Sequence, residues 1–331
     1  MTKRFDVVGI GNAMVDVLAR CEDVFLGEAG VEKGIMQLID MNRAVDLYGR
    51  VGPAREVSGG SAANTIAVVA ALGGKTAYVG KVKDDQLGAI FAHDLRAQGA
   101  VYETKLATAK QKAETGRCIV LVTPDGERSM NTYLGVTEFL TPDDIDPAQM
   151  ADAEMIYLEG YRFDGPESHA AFAKAITATK GAGGRVSLTL SDPLCVERHR
   201  DAFREMLRDH VDLLFANHDE ICSMYETDDF EAALAAAAAE VEIVACTEGA
   251  KGAHILAGGQ RWHAPAKPVN IQDATGAGDA FAGAFLWGHS QGYTLEMCGR
   301  MGCAAASEVI SHIGARPEKD LGEIFRADGL V

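Results

Sequence analysis

Along most of its length the chain alternates strand-like and helix-like segments, and that alternation limits the possible folds more than any other feature. The apolar runs at Phe5–Ile10, 75–79, 155–158, 186–190, 211–215 and Ile243–Thr247 have the length of buried core strands. Between them, 61–72, Gln86–Ala97, 167–179, 197–208, His218–Tyr225 and 231–240 read as helices, the first stopped by Gly73-Gly74. Strands separated by helices favour a parallel sheet covered on both faces. The expected class is therefore α/β, with a mainly parallel central sheet sandwiched by helices.

Two regions, 15–40 and 100–134, break the rhythm. The second holds Val, Thr, Tyr and Ile runs and the turn Pro124-Asp125-Gly126. Both read as antiparallel strands that pair into a small β-sheet projecting from the body, and a projecting sheet beside an active-site edge is a lid. No long linker or repeat divides the chain, so residues 1–331 are expected to form a single domain carrying that lid.

The formal net charge of -17 argues against nucleic acid or an anionic membrane as a partner, yet leaves room for nucleotides held by local dipoles. The cysteines, Cys21, Cys118, Cys195, Cys222, Cys246, Cys298 and Cys303, lack zinc spacing and read as reduced thiols. No signal peptide is read ahead of the first strand and no apolar run has the length of a membrane span, so a cytoplasmic location is expected.

The chemistry concentrates at Asp273-Ala-Thr-Gly-Ala-Gly-Asp279, just ahead of a helix over 280–291. A turn of Gly276, Ala277 and Gly278 lets backbone approach a ligand and offers N–H groups at a helix N-terminus, a geometry that holds phosphate. A carboxylate beside phosphate is unfavourable unless it takes a proton from an attacking hydroxyl, which makes Asp279 a candidate general base. Two tempting matches fail. Gly9-Ile-Gly11-Asn-Ala-Met14 has Met14 where a dinucleotide fingerprint needs glycine or alanine, and Gly74-Lys75-Thr76 would need its P-loop glycine at Val69.

Other strand exits carry weaker signals. Asn12 and Asp16 follow the first strand; a carboxylate and an amide suit a sugar diol, and a turn-forming Asn beside a solvated Asp is the competing reading. Ser58-Gly-Gly-Ser-Ala-Ala-Asn64 is either a ligand-approaching glycine pair with Asn64 one turn in, or a glycine turn capped by Ser61. Asn217-His-Asp-Glu220 has the spacing of a capping box and equally suits a hydrated magnesium. Thr247-Glu-Gly249-Ala-Lys-Gly252 looks like a nucleotide-side loop.

In these motifs, their order and their separation, the chain resembles the ribokinase-like family of carbohydrate and nucleoside kinases over essentially its whole length. Gly59-Gly-Ser-Ala-Ala-Asn64 and Asp273–Asp279 are similar to its two signatures, and Asn217-x-x-Glu220 to its magnesium and phosphate motif. Gly11-Asn-Ala-Met-Val-Asp16, Thr189-Leu-Ser-Asp-Pro-Leu194 and Val211-Asp-Leu-Leu-Phe-Ala-Asn217 look most like the adenosine kinases within it. The resemblance implies ribose contacts from Asn12, Asp16, Gly60, Ser61, Asn64 and Asp279, and apolar walls for a purine from Met36, Leu134 and Tyr161. It implies ATP contacts from Asn217, Glu220, Thr247, Gly249 and Gly252. Mg2+ would be held by Glu220 and Asn217 largely through water. Arg128, on the lid, would approach the γ-phosphate on closure.

The chain departs from the family pattern at three positions. Ala63 replaces a glutamine of adenosine kinases, Leu194 takes an aromatic position, and Ala274 replaces a threonine, which speaks against a monovalent-cation loop. The expected activity is ATP-dependent phosphorylation of a ribonucleoside 5′-hydroxyl, adenosine first. The alternatives are a sugar kinase acting on ribose, fructose or a keto-sugar acid, and a non-catalytic nucleotide- or sugar-binding regulator. A monomer or homodimer is expected.

Overall fold

The computed structural model describes residues 3–108 and 110–331. The chain starts with β1 (Phe5–Ile10) and crosses, through Gly11, Asn12 and Ala13, into β2 (Met14–Arg20) of a second sheet. It continues there through α1 (Asp23–Ala29), β3 (Met36–Leu38), α2 (Met41–Arg50) and β4 (Ala54–Gly59). It returns to the body with α3 (Ser61–Ala71), β5 (Thr76–Val79), α4 (Gln86–Ala97) and β6 (Val101–Tyr102). A second excursion supplies β7 (Gly116–Val122) and β8 (Arg128–Tyr133), followed by α5 (Pro147–Ala151). The rest is body: β9 (Ala153–Glu159), α6 (Ser168–Gly181), β10 (Arg185–Thr189), α7 (Pro193–Asp209), β11 (Leu213–Asn217), α8 (His218–Tyr225), α9 (Phe230–Glu240) and β12 (Ile243–Thr247). A hairpin of β13 (Ala253–Ala257) and β14 (Gln260–Ala264) precedes α10 (Ala277–Ser290), α11 (Leu295–Val309) and α12 (Leu321–Ala327).

The main sheet runs β14-β13-β12-β11-β10-β9-β1-β5-β6, parallel from β12 to β6, with β13 antiparallel to both β12 and β14. The parallel strands are buried on both faces, as their near-continuous apolar sequences require. One face packs on α5–α9 through residues such as Phe172, Phe203 and Leu207, the other on α3, α4, α10 and α11 through Ile66, Phe91, Phe281 and Phe285. Helix starts follow local chemistry: Asp85, Asp192, Asp229 and Thr294 each accept a first-turn N–H of the helix they precede. Because β1 lies between β9 and β5, successive crossovers leave it in opposite directions. A crevice therefore opens at the carboxyl end of β1.

The second sheet, β3-β8-β7-β2-β4, covers that crevice. It corrects the expectation in four respects, the first being that Asp23–Ala29, inside the expected strand segment 15–40, is the helix α1 and no strand of this sheet. Its pairing is mixed: β2 with β7 and β3 with β8 are parallel, while β2 with β4 and β7 with β8 are antiparallel. β4, outside the two expected segments, forms an edge, because a strand rising from β2 needs a returning partner to reach α3. Residues 101–102, inside the expected lid segment, belong to the main sheet as β6. The lid's two faces differ in role: Val17, Ala19, Ile119 and Leu121 pack outward under Leu26, Ala29 and Leu47 of α1 and α2. Met14, Cys118 and Met130 face the crevice. Alternation along each strand produces this division.

Candidate active site

A cleft of about 890 Å³ lies between the lid and the carboxyl ends of the main-sheet strands. At its floor α10 begins. Gly276, the N-cap, has φ of 77°, and a Cβ there would stand 2.5 Å from the carbonyl oxygen of Ala315, so only glycine fits. A Cβ on Gly278 would meet nothing within 4 Å; this glycine leaves the first turn open toward the cleft. The first-turn N–H groups are those a helix leaves without intrahelical partners, and they carry the positive end of its dipole. The helix starts at Ala277, earlier than the sequence suggested, so Asp279 sits within the first turn.

The carboxylate of Asp279 is held on both oxygens. Ser61 Oγ donates to Oδ1 at 2.6 Å and Asn64 Nδ2 donates to Oδ2 at 3.0 Å. Burial pushes its carboxyl up to about 6; the bonds from Ser61 and Asn64 and the charges of Arg128 and Arg316 oppose that rise. Such a group is ionised at neutral pH and still basic enough to take a proton. Ser61 therefore serves the carboxylate rather than capping α3, whose N-cap Gly60 makes no side-chain cap bond.

The glycine pair is explained by Asn12 and Asp16. A Cβ on Gly59 would fall 2.2 Å from the Asp16 carboxyl carbon, and one on Gly60, at φ 98°, would fall 2.1 Å from the Asn12 carbonyl oxygen. Asp16 points from β2 into the cleft, and burial raises its carboxyl to about 7 against the pull of Arg316. Asn12 Oδ1 accepts from Arg162 Nη1 at 3.0 Å and from Thr137 Oγ1 at 3.4 Å, which fixes the amide with its NH2 as the remaining donor.

The opposite end gathers Asn217, Glu220, Thr247 and Gly249 at the ends of β11 and β12. Asn217 and Glu220 do form a reciprocal capping box: Asn217 Oδ1 accepts from Glu220 N at 2.8 Å, and the Glu220 carboxylate accepts from Asn217 N at 3.0 Å and from its Nδ2 at 2.7 Å. Burial raises the Glu220 carboxyl to about 8, so an approaching cation would ionise it. Among the described residues no group of three His, Cys, Asp or Glu could hold a metal. The donor set suits a magnesium that keeps its own waters and phosphate oxygens.

Met36, Leu134 and Tyr161 all line the cleft, as does Arg128, whose Nε lies 3.5 Å from Asp273 Oδ1. Gly252 is the exception among the sequence-predicted residues. It packs at φ 102° against Ala264, where a Cβ would lie 2.1 Å from the carbonyl oxygen, and it is no part of the cleft wall.

Sequence reasoning missed Glu159, Arg162 and Arg316. The Glu159 carboxylate accepts from the N–H of Asn12 at 3.3 Å and of Ala62 at 2.9 Å, bracing the turn after β1 and the start of α3; burial raises it to about 7. Arg162, fully buried, also donates to Thr137 O at 2.6 Å and Ser168 Oγ at 2.7 Å. The available signal was a Glu and an Arg just past a strand exit, Glu159-Gly-Tyr-Arg162. Asp273, fully buried, clamps its own loop by accepting from Thr275 N and Gly314 N, each at 2.9 Å.

This arrangement has the parts for hydroxyl-to-phosphoryl chemistry, and comparison with known proteins agrees. The model of the pfkB family carbohydrate kinases matches residues 33–320. The probable sugar kinase protein from Rhizobium etli CFN 42 is 48% identical, with 99% of this chain and 100% of that chain covered and a TM-score of 0.95. The adenosine kinase from Sinorhizobium meliloti is 45% identical over 98% of this chain and 99% of its own, with a TM-score of 0.94. A curated relative, the 5-dehydro-2-deoxygluconokinase of Shouchella clausii, is 28% identical over 97% of this chain and 95% of its own length.

Proposed function

This chain belongs to the pfkB family of carbohydrate kinases, ATP-dependent phosphotransferases with hydroxyl acceptors, and from that premise we propose that its acceptor is a ribonucleoside, adenosine foremost, phosphorylated at the 5′-hydroxyl. The observation that carries this reading is the placement of Asp279 beside the open first turn of α10, across the cleft from Asp16 and below an apolar lid face. Asp16 and Asn12 accept from and donate to the ribose diol, which places the remaining hydroxyl toward Asp279. The hydroxyl oxygen bonds to the γ-phosphorus as the bond to the ADP oxygen breaks, and its proton passes to Asp279. N–H groups of Ala277 and Gly278, with the Arg128 guanidinium, stabilise charge on the transferred group. Magnesium, held through water by Glu220 and Asn217, would neutralise phosphate charge. Met36, Leu134 and Tyr161 with the lid methionines Met14 and Met130 offer a flat base apolar surface.

A sugar kinase is the second reading. It is favoured by Leu194, 44% exposed at the cleft, where a stacking aromatic would close over a base. Turnover with ATP and Mg2+ of adenosine, other nucleosides, ribose, fructose and a keto-sugar acid separates the two. Adenosine is expected to have the highest kcat/KM; a higher value for any bare sugar ends the nucleoside assignment and leaves the role of Asp279 standing.

A further inference from the structure

The segment after α11 contains no part of either signature, yet it wraps the reaction centre. Gln272 N donates to Ile310 O at 2.9 Å, Gly314 N donates to Asp273 Oδ2, and Ala315 is the residue that excludes a side chain at Gly276. The next residue, Arg316, reaches under the lid. Its Nε donates to Asn64 Oδ1 at 3.1 Å and its Nη1 to Ser58 Oγ at 2.6 Å, while Nη2 is buried with no hydrogen-bond partner.

These contacts decide which way the Asn64 amide faces. With Oδ1 bound by the guanidinium, Nδ2 is the end left to meet Asp279, and the structure has it there at 3.0 Å. A reversed amide would set its oxygen against the carboxylate and its NH2 against a cation, both repulsive. We propose that Arg316 is a positioning residue for phosphoryl transfer, locking the Asn64 amide onto Asp279 and supplying buried positive charge that favours the ionised carboxylate. Ser58, on the lid strand β4, holds the guanidinium in place for this task.

The inference rests on Asp279 being the base. The charged groups around that carboxylate are Arg128 from β8, Arg316 from the segment after α11, Asp16 from β2, Glu159 from β9 and Glu220 from α8. The phenols of Tyr157 and Tyr161 also face it. Arg128 and Arg316 both pull its pKa down, so removing one raises it.

The test is kcat and KM against pH for the wild type, Arg316→Gln, Arg316→Lys and Asp279→Asn, with adenosine or whichever acceptor the panel selects. Arg316→Gln is expected to lose about tenfold in kcat, with KM changed less, and to move the acid limb of the profile up by roughly half to one pH unit. Arg316→Lys retains the charge, so its limb stays in place, and kcat drops several-fold because an ammonium lacks the fork that reaches amide and hydroxyl together. A loss in Arg316→Gln without movement of the limb marks a packing role and overturns the proposal. Should Arg316→Gln fail to fold, a wild-type kcat in Arg316→Lys overturns it, and a reduced kcat on an unmoved limb supports it. Near-normal turnover in Asp279→Asn removes the base assignment itself; an inactive Asp279→Asn with an unmoved Arg316→Gln limb removes only the role of Arg316.

Discussion

At Asp279 four neighbours, Ser61, Asn64, Arg128 and Arg316, counter what burial does to an ordinary carboxylate. Burial raises its carboxyl, and hydrogen bonds from Ser61 and Asn64 with the charges of two guanidinium groups oppose the rise, leaving it at about 6. Protonation as the pH falls through that value removes the acceptor, and Asp16 protonates near pH 7, so kcat/KM is expected to decline on the acid side from about pH 7 and more steeply below pH 6. Asp279→Asn keeps the size and loses the proton acceptor, and a fall in kcat of roughly 10²–10⁴-fold is expected with acceptor affinity little changed. Steady-state kinetics across pH check both; a flat profile with normal turnover in Asp279→Asn would reduce the residue to a helix-end charge. Asp279 and Gly276 were legible because a glycine turn leading into a carboxylate at a helix start has few other uses, whereas Asp16 and Asn64 each carried an equal structural reading and stood out only beside the other motifs. Glu159, Arg162 and Arg316 were not, since each acts through partners more than 90 residues away in the chain, Asn12, Asn12 and Asn64. Glu159-Gly-Tyr-Arg162 at the end of β9 is a local hint, yet it does not name the distant partners.

At the scale of elements, the parallel strands and crossover helices were readable from length and apolarity, and those near the amino end were also bounded correctly by their glycines. The lid was readable as a departure from that rhythm. Its pairing was not, because parallel and antiparallel neighbours present the same alternation of side chains, and only the path of the chain decides between them. The turn that starts α10 gives a sharper test. In Gly276→Ala the new Cβ would press on Ala315 backbone and the residue would keep a positive φ, so both strain and a displaced first turn follow. We expect a loss of about 1–3 kcal/mol in stability by denaturant unfolding together with a kcat reduced by at least tenfold. Gly278→Ala, with open space around its Cβ, should leave stability unchanged; if the two variants unfold alike, the geometric account of the turn is wrong.

At the scale of the molecule, the question is what the lid leaves open. One face of its sheet closes the cleft and the other lies under α1 and α2, which leave Val24, Val45 and Tyr48 exposed as single residues. Of its edges, β3 has three residues and β4 begins with exposed Ala54 and Arg55, features that discourage strand addition. The protein is expected to be a monomer at micromolar concentration, as sedimentation equilibrium would read directly; a stable dimer would require another surface. The join between body and lid has its own consequence. Only Gly11, Asn12 and Ala13 separate β1 from β2, and Asn12 is bonded to the body while Asp16 rides on the lid. If the lid opens and shuts at this join, an acceptor that bridges the two binds only shut molecules, and its observed dissociation constant is the intrinsic one divided by the shut fraction. A substitution that changed the shut fraction without touching the cleft would then rescale the affinity for every acceptor by one common factor, leaving the order of preference among them untouched.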